Sequence, residues 1–330
     1  MFLKHRFKLL TFYPQQRWIR QFIGRFLLIL ALLMLLPACF NRMVEQATLP
    51  PGVATHPIEH VMGVTEVPEH PERVVVLDTA ALDAVLALDI KPIGATVYET
   101  FPDYLGDRTA GIINLGEMAQ PNLEKIIQLQ PDLILSNQLG SKSIYRQLAK
   151  IAPTIFAESS GRDGDWPENF RLYAAALNQT EKAEQVLADY QQTVENLKQQ
   201  IGNPEETVVS VVFSYQNYIG FYSDASFSGS VLSDLGLARP PIQTRPETAP
   251  HLSVVSKEAF TELDGDLIFL MVGLESPLTL DQFMNDPLYS RLSAVKKNQV
   301  YPVQSAVWSA GRNILAARQI MQDVAQALME

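Results

Sequence analysis

Beyond residue 57 the hydrophobic pattern switches repeatedly between two periods. Short runs that are apolar throughout alternate with stretches whose apolar residues recur every three or four positions. RVVVL at 73–77 is followed by a helical pattern at 80–88, then by PIGA at 92–95, and a helix-like stretch at 122–129 leads into DLILS at 132–136. Strands apolar on both faces and separated by helices predict parallel sheets covered on both sides. The same grammar returns after residue 203, in TVVSVVF at 207–213, in 229–235, in 258–263 and in DLIFLM at 266–271. The repeat extends to detail: Glu124 and Glu258 each stand eight residues before an aspartate, Asp132 or Asp266, that opens an apolar strand. Two related α/β lobes follow from this internal repeat.

Between the lobes, Val186, Tyr190, Val194, Leu197 and Ile201 mark one face of a helix over 180–201, with Thr180 as N-cap and Glu181 in the first turn. Gly202-Asn203-Pro204 stops it. At ~1.5 Å per residue the helix is roughly 33 Å long, enough to run along both lobes. The expected architecture is α/β: two Rossmann-like lobes with mainly parallel sheets joined by one long connecting helix. A single stiff connector permits only modest rocking of the lobes, so the cleft between them is expected to be largely preformed. The boundaries expected are a leader over 1–39, a flexible stalk over 40–57, an N-terminal lobe over 58–165, connecting helices over 166–202 and a C-terminal lobe over 203–330.

The leader rests on six basic residues and no acid before residue 39, together with an unbroken apolar run over 26–36. That run is about half of the ~20 apolar residues a spanning helix needs. Leu36-Pro37-Ala38-Cys39 resembles the lipobox of lipoprotein signal peptidase, and Cys39 is the only cysteine, so no intramolecular disulfide forms. The expectation is an exported chain, lipidated on Cys39 and anchored to a membrane facing the periplasm or cell exterior. Of 26 basic residues six lie in the leader, leaving 20 against 36 acids, a net charge of −16. Such a surface repels nucleic acid, and an anionic cargo must be held by local arginines. His56 in the stalk and His60 just beyond it stand four apart, a metal-ligand spacing on a helix, but Pro57 argues against a helix there.

The enzyme reading finds no G-x-S-x-G elbow, P-loop, G-x-G-x-x-G fingerprint or H-E-x-x-H motif. Ser226-Phe227-Ser228-Gly229 looks like a nucleophile loop but has no paired histidine, and a turn with an N-cap explains it. No enzyme and no catalytic residue are expected. Ligands of open α/β sheets bind beyond the carboxyl ends of the strands. The residues following the strands include Thr79, Tyr98, Asn137, Gln138, Tyr215, Tyr218, Val272, Trp308 and Arg312, a list rich in aromatic and amide groups.

The segments HVMGVTEVPEHPERVVVLDTAALDAVLALDIKPIGA, PNLEKIIQLQPDLILSN, SGSVLSDLGLARP and NDPLYSRLSAVKKNQVYPVQSAVWSAGRNILAARQIM, in this order, resemble the class III substrate-binding lipoproteins of ABC importers, the ferric-siderophore branch most closely. The resemblance implies the class III periplasmic-binding-protein fold, a monomer, and capture of a Fe(III)-siderophore for iron uptake through an ABC permease with its ATPase. It implies no cofactor beyond the lipid on Cys39 and no protein-held metal. Glu124 and Glu258 match the family's permease-docking glutamates. Spread oxygen charge on a ferric chelate suits arginine forks; Arg108, Arg162, Arg245 and Arg312 lie in loops, and Arg245 and Arg312 are preferred. Trp308 matches a cleft tryptophan, with Trp166 and Tyr104 as weaker candidates. The ligand set expected is therefore Tyr98, Asn137, Tyr215, Tyr218, Arg245, Trp308 and Arg312. Haem or cobalamin cargo, or a hydrolase or sensor on the same lobes, are the alternatives.

Overall fold

The chain enters its first strand at Thr55, inside the segment expected to be stalk. This computed structural model describes residues 47 and 49–329 apart from 216–217, 246–251, 257–258 and 273–278. Strands β1 (Thr55–His60) and β2 (Gly63–Pro68) pair antiparallel, Thr55 opposite Pro68 and His60 opposite Gly63. Pro57 donates no ladder bond, which a ribbon edge tolerates. Alternate side chains turn inward, and Ile58, His60, Thr65 and Val67 are buried. The His56–His60 metal spacing dissolves here. His60 accepts the Phe156 N–H at 3.1 Å and bonds Thr65 Oγ1 at 2.8 Å, while His56 Nε2 bonds the Ala175 carbonyl at 3.0 Å. Burial holds the His60 pKa down at about 4, so the ring is neutral. Among the described residues no group of three or more His, Cys, Asp or Glu is placed to hold a metal ion, and no helix is long and apolar enough to cross a membrane.

The N-terminal lobe continues through β3 (Val74–Val76), α1 (Thr79–Ala87), β4 (Gly94–Ala95), β5 (Ile113–Asn114), α2 (Leu123–Leu129), β6 (Leu133–Asn137) and β7 (Thr154–Ala157). Its sheet has the order β5, β4, β3, β6, β7 and is parallel throughout. Helices α3 (Trp166–Ala176) and α4 (Thr180–Ile201) then carry the chain across. The bounds of α4 are those the periodicity predicts, but Gln179 rather than Thr180 occupies the N-cap position and makes no side-chain cap bond. Lys182 fastens α4 to the first lobe, donating to the Leu88 carbonyl and the Asp89 carboxylate, each at 2.7 Å. Two turns on, the Tyr190 hydroxyl donates to Asp234 of the second lobe at 2.7 Å.

The C-terminal lobe contains β8 (Val209–Tyr215), β9 (Tyr218–Tyr222), α5 (Phe227–Asp234), β10 (Leu252–Val255), β11 (Leu267–Val272), β12 (Val300–Gln304) and α6 (Ile314–Met329). Its sheet has the order β10, β9, β8, β11, β12; β8, β11 and β12 are parallel, while β9 runs antiparallel to both neighbours. The internal repeat has a physical counterpart. Asp132 accepts the N–H groups of Glu72 and Arg73 at 2.8 and 2.9 Å, tying the start of β6 to the approach of β3. Asp266 accepts the Val208 N–H at 3.0 Å, tying β11 to β8 in the same way. The principal apolar core is continuous, running from Val74 and Leu133 through Phe170, Tyr173 and Tyr190 to Val209, Val231 and Ile320. A second cluster around Phe283, Ile268 and Leu292 covers the other face of the C-terminal sheet.

Candidate functional site

The ends of β3 and β4 and the loop that precedes α6 face each other across the seam between the lobes. They enclose a cavity of about 420 Å³, lined by Thr79, Thr96, Val97, Tyr98 and Met118 from the first lobe, Ser309, Ala310 and Arg312 from the second, and Arg162 from the loop between β7 and α3. The volume falls within the range of small-molecule sites, roughly 300–1,000 Å³. Among the described lining residues there is no carboxylate, and two are arginines.

Each polar group is held differently. Arg312 is buried, with a backbone φ of +53°, and its Nε donates to its own loop at the Ala310 carbonyl, 3.3 Å away. One terminal nitrogen lies 3.3 Å from Thr79 Oγ1 and 3.8 Å from the Asp78 carboxylate, so its charge is balanced from the first lobe. Thr79 in turn donates to the Ala310 carbonyl at 2.7 Å. Gly161, at φ +74°, lets the Arg312 carbonyl approach; a Cβ there would lie 2.6 Å from that oxygen. Arg162 is exposed and has no carboxylate partner among the described residues. Both guanidinium groups act on Tyr222, whose hydroxyl bonds Ser309 Oγ at 2.7 Å; burial raises that phenol's pKa and the two cations oppose the rise. Thr96 Oγ1 is buried without a hydrogen-bond partner, a condition native interiors rarely leave unfilled.

A second cavity, about 560 Å³, lies between Asp103 and Tyr104 on one side and β12 with α6 on the other. It is larger, but its charged lining groups are the carboxylates Asp103 and Asp323, the wrong sign for an anionic chelate.

Of the expected ligand residues, the structure brings Tyr98 and Arg312 to the first cavity. Trp308 is a correction: it is fully buried, packs on Phe269 with ring centroids 4.5 Å apart, and donates its indole N–H to Asp323 at 2.7 Å. The helical turn Ser305–Trp308 after β12 rotates it into the core. Arg245 is also displaced, forming an exposed ion pair with Glu262 at 2.8 Å away from the cavity lining. Asn137 is buried and spends its side-chain oxygen capping the helical turn Gln138–Ser141. Tyr218 is exposed at the start of β9, in register with Tyr215, whose side chain lies outside what the structure describes. Trp166 packs against Tyr190 in the core, and Tyr104 bonds Asp83. Glu124 is exposed in the first turn of α2. Cys39 and Glu258 lie outside the described residues. Thr96, Met118 and Ser309 carried no sequence signal beyond following a strand or helix.

Two α/β lobes bridged by one long helix, with a cation-lined cavity in the seam and the residues of both lobes around it, define a two-lobed solute-binding protein. The chain belongs to the periplasmic binding protein family, whose model matches residues 74–307. It is 33% identical over 318 residues to the probable siderophore-binding lipoprotein YfiY of Bacillus subtilis (strain 168), covering 92% of this chain and 97% of that one. It is 29% identical over 268 residues to the achromobactin-binding periplasmic protein of Dickeya dadantii (strain 3937), covering 78% and 86%. The crystal structure of Staphylococcus aureus SirA complexed with staphyloferrin B superimposes with a TM-score of 0.72 at 26% identity, over 83% of this chain and 99% of that one.

Proposed function

We propose that this protein captures a ferric siderophore in the seam cavity and hands it to an ABC permease for iron uptake. The observation that carries the reading is the lining itself. Arg162 and Arg312 converge on one cavity that has no carboxylate among its described lining residues and contains an unpartnered buried hydroxyl at Thr96. Such a site favours a ligand whose charge is spread over several oxygens. The iron arrives held by its own chelator, so the protein supplies no metal ligand. Relatives named for siderophore and achromobactin binding support the same reading.

Tyr98 adds partly exposed aromatic surface to the lining. Lipid on Cys39 tethers the protein beside its permease, and Glu124 with Glu258 are its docking carboxylates. Tethering raises the effective concentration of loaded protein at the permease. Titration with ferric complexes of citrate, a hydroxamate and a catecholate, followed by intrinsic fluorescence, tests the reading. Saturable quenching by at least one chelate, and none by the same chelators without iron, is expected. Absence of binding by all three, or equal binding of free ferric ion, would overturn it.

A further inference from the structure

Helix α1 carries a single charged residue, Asp83, in an otherwise apolar run, and it is fully buried. Its carboxylate does not serve its own helix. One oxygen accepts the Leu315 N–H at 2.8 Å, and the other accepts the Ala316 N–H at 2.9 Å and the Tyr104 hydroxyl at 2.9 Å. Leu315 and Ala316 open α6, where backbone N–H groups have no intrahelical partner. A side chain of the first lobe therefore caps a helix of the second. The positive end of the helix dipole meets a carboxyl group of the other lobe across the seam.

This cap lies a few residues beyond the loop that lines the cavity. Ala310 and Arg312 are tied to Thr79 four positions earlier on α1, so residues 309–316 are fastened to that one helix at two points a turn apart. We propose that Asp83 is a positioning residue for ligand binding: by capping α6 from the opposite lobe it fixes the 309–313 loop and holds the Arg312 guanidinium at the cavity. The proposal rests on the reading of that cavity as the ligand site.

The charged environment gives the contact a second property. Facing Asp83 are Tyr104 and, from the next turn of α6, Arg318; further along the seam lie Asp78, Arg312 and Tyr173. Burial pushes the Asp83 pKa up to about 7, against the opposing pull of its three donors and Arg318. A native pKa raised above the usual carboxylate value means the buried form holds its proton more tightly. The folding stability tied to this group is therefore fully present below the ordinary carboxylate range and is lost as pH rises through about 7, while the bonds from Leu315, Ala316 and Tyr104 each favour the ionised form.

Amide hydrogen exchange on the iron-free protein decides the matter. In Asp83→Ala, amides of residues 310–316 should exchange about tenfold faster, the scale of a lost helix cap, while those of α4 and β11 stay as in wild type. In wild type the urea unfolding midpoint should fall between about pH 6 and pH 8, and Asp83→Ala should remove that part of the dependence. Unchanged exchange at 310–316, or equal acceleration through the whole chain, would overturn the proposal. Should Asp83→Ala fail to fold, Tyr104→Phe removes one donor that favours the ionised form and should move that fall in the midpoint to higher pH; no shift would count against it. Ferric citrate titration of both proteins adds the functional arm, with about tenfold weaker binding expected in the variant. If wild type binds no chelate, the proposed function fails while the exchange result still decides the cap.

Discussion

Arg162 and Arg312 meet the same cavity under different electrostatic conditions, and the difference predicts how each tolerates removal. Arg162 is exposed and without a carboxylate partner among the described residues, so Arg162→Ala leaves nothing stranded. Its loss should weaken the ferric chelate by about tenfold to a hundredfold, the worth of a charged hydrogen bond, with an unchanged urea midpoint. Arg312→Ala removes a comparable ligand contact but also strips Asp78 of its counter-charge. One Asp78 oxygen caps α1 and the other is already buried without a partner. That variant should lose about 1–3 kcal/mol of stability in addition to affinity. Equal effects of the two substitutions on stability would refute the assignment. The sequence rule that ligands lie beyond strand ends named Tyr98, shortly after β4, and Arg312, past the helical turn that follows β12, and both line the cavity. It failed for Trp308, since one helical turn after β12 was enough to point the ring inward. Asp83 sits in the apolar run AALDAVLAL, but its partner Leu315 is 232 positions away, and no periodicity reports such a pairing.

At the scale of elements, the two aspartates of the internal repeat do equivalent work in the two sheets. Asp132 bonds two backbone N–H groups before β3, and Asp266 bonds one before β8. Each fixes the register between neighbouring parallel strands, which have no hairpin turn to set it. Asp132→Ala and Asp266→Ala should each cost about 0.5–2 kcal/mol, similar to a lost helix cap, with Asp132 the larger. Because the sites belong to different sheets, the double variant should show the sum within about 0.5 kcal/mol in denaturant unfolding. A strongly non-additive double variant would mean the repeat is sequence likeness without independent roles. Strands β3, β6, β8 and β11 and helix α4 were legible because their apolar runs and helical period are uninterrupted. The β1–β2 hairpin was not, because Pro57 and a short polar alternation looked like stalk. The antiparallel β9 was hidden in a five-residue run with a glycine and an exposed tyrosine, which carries little signal of direction.

For the whole molecule, the continuity of the principal core matters more than the division into lobes. The apolar cluster that begins under the first sheet passes through α3 and α4 and ends under the second, with α6 packed on helices of both lobes. Lys182 and Tyr190 fasten α4 to one lobe each, and Asp83 joins the lobes directly. Breaking either lobe alone would expose the shared part of that core, so the cost of partial unfolding approaches that of global unfolding. Calorimetry of the mature chain should therefore show one transition with calorimetric and van't Hoff enthalpies in agreement, although ordinary domain-sized lobes with separate cores would give two. Ligand binding should raise the midpoint of that single transition without splitting it, by mass action on the native state. The same continuity limits the motion available on loading. Small-angle scattering should give nearly the same radius of gyration with and without ferric chelate, and a large contraction would mean that the lobes close as independent bodies.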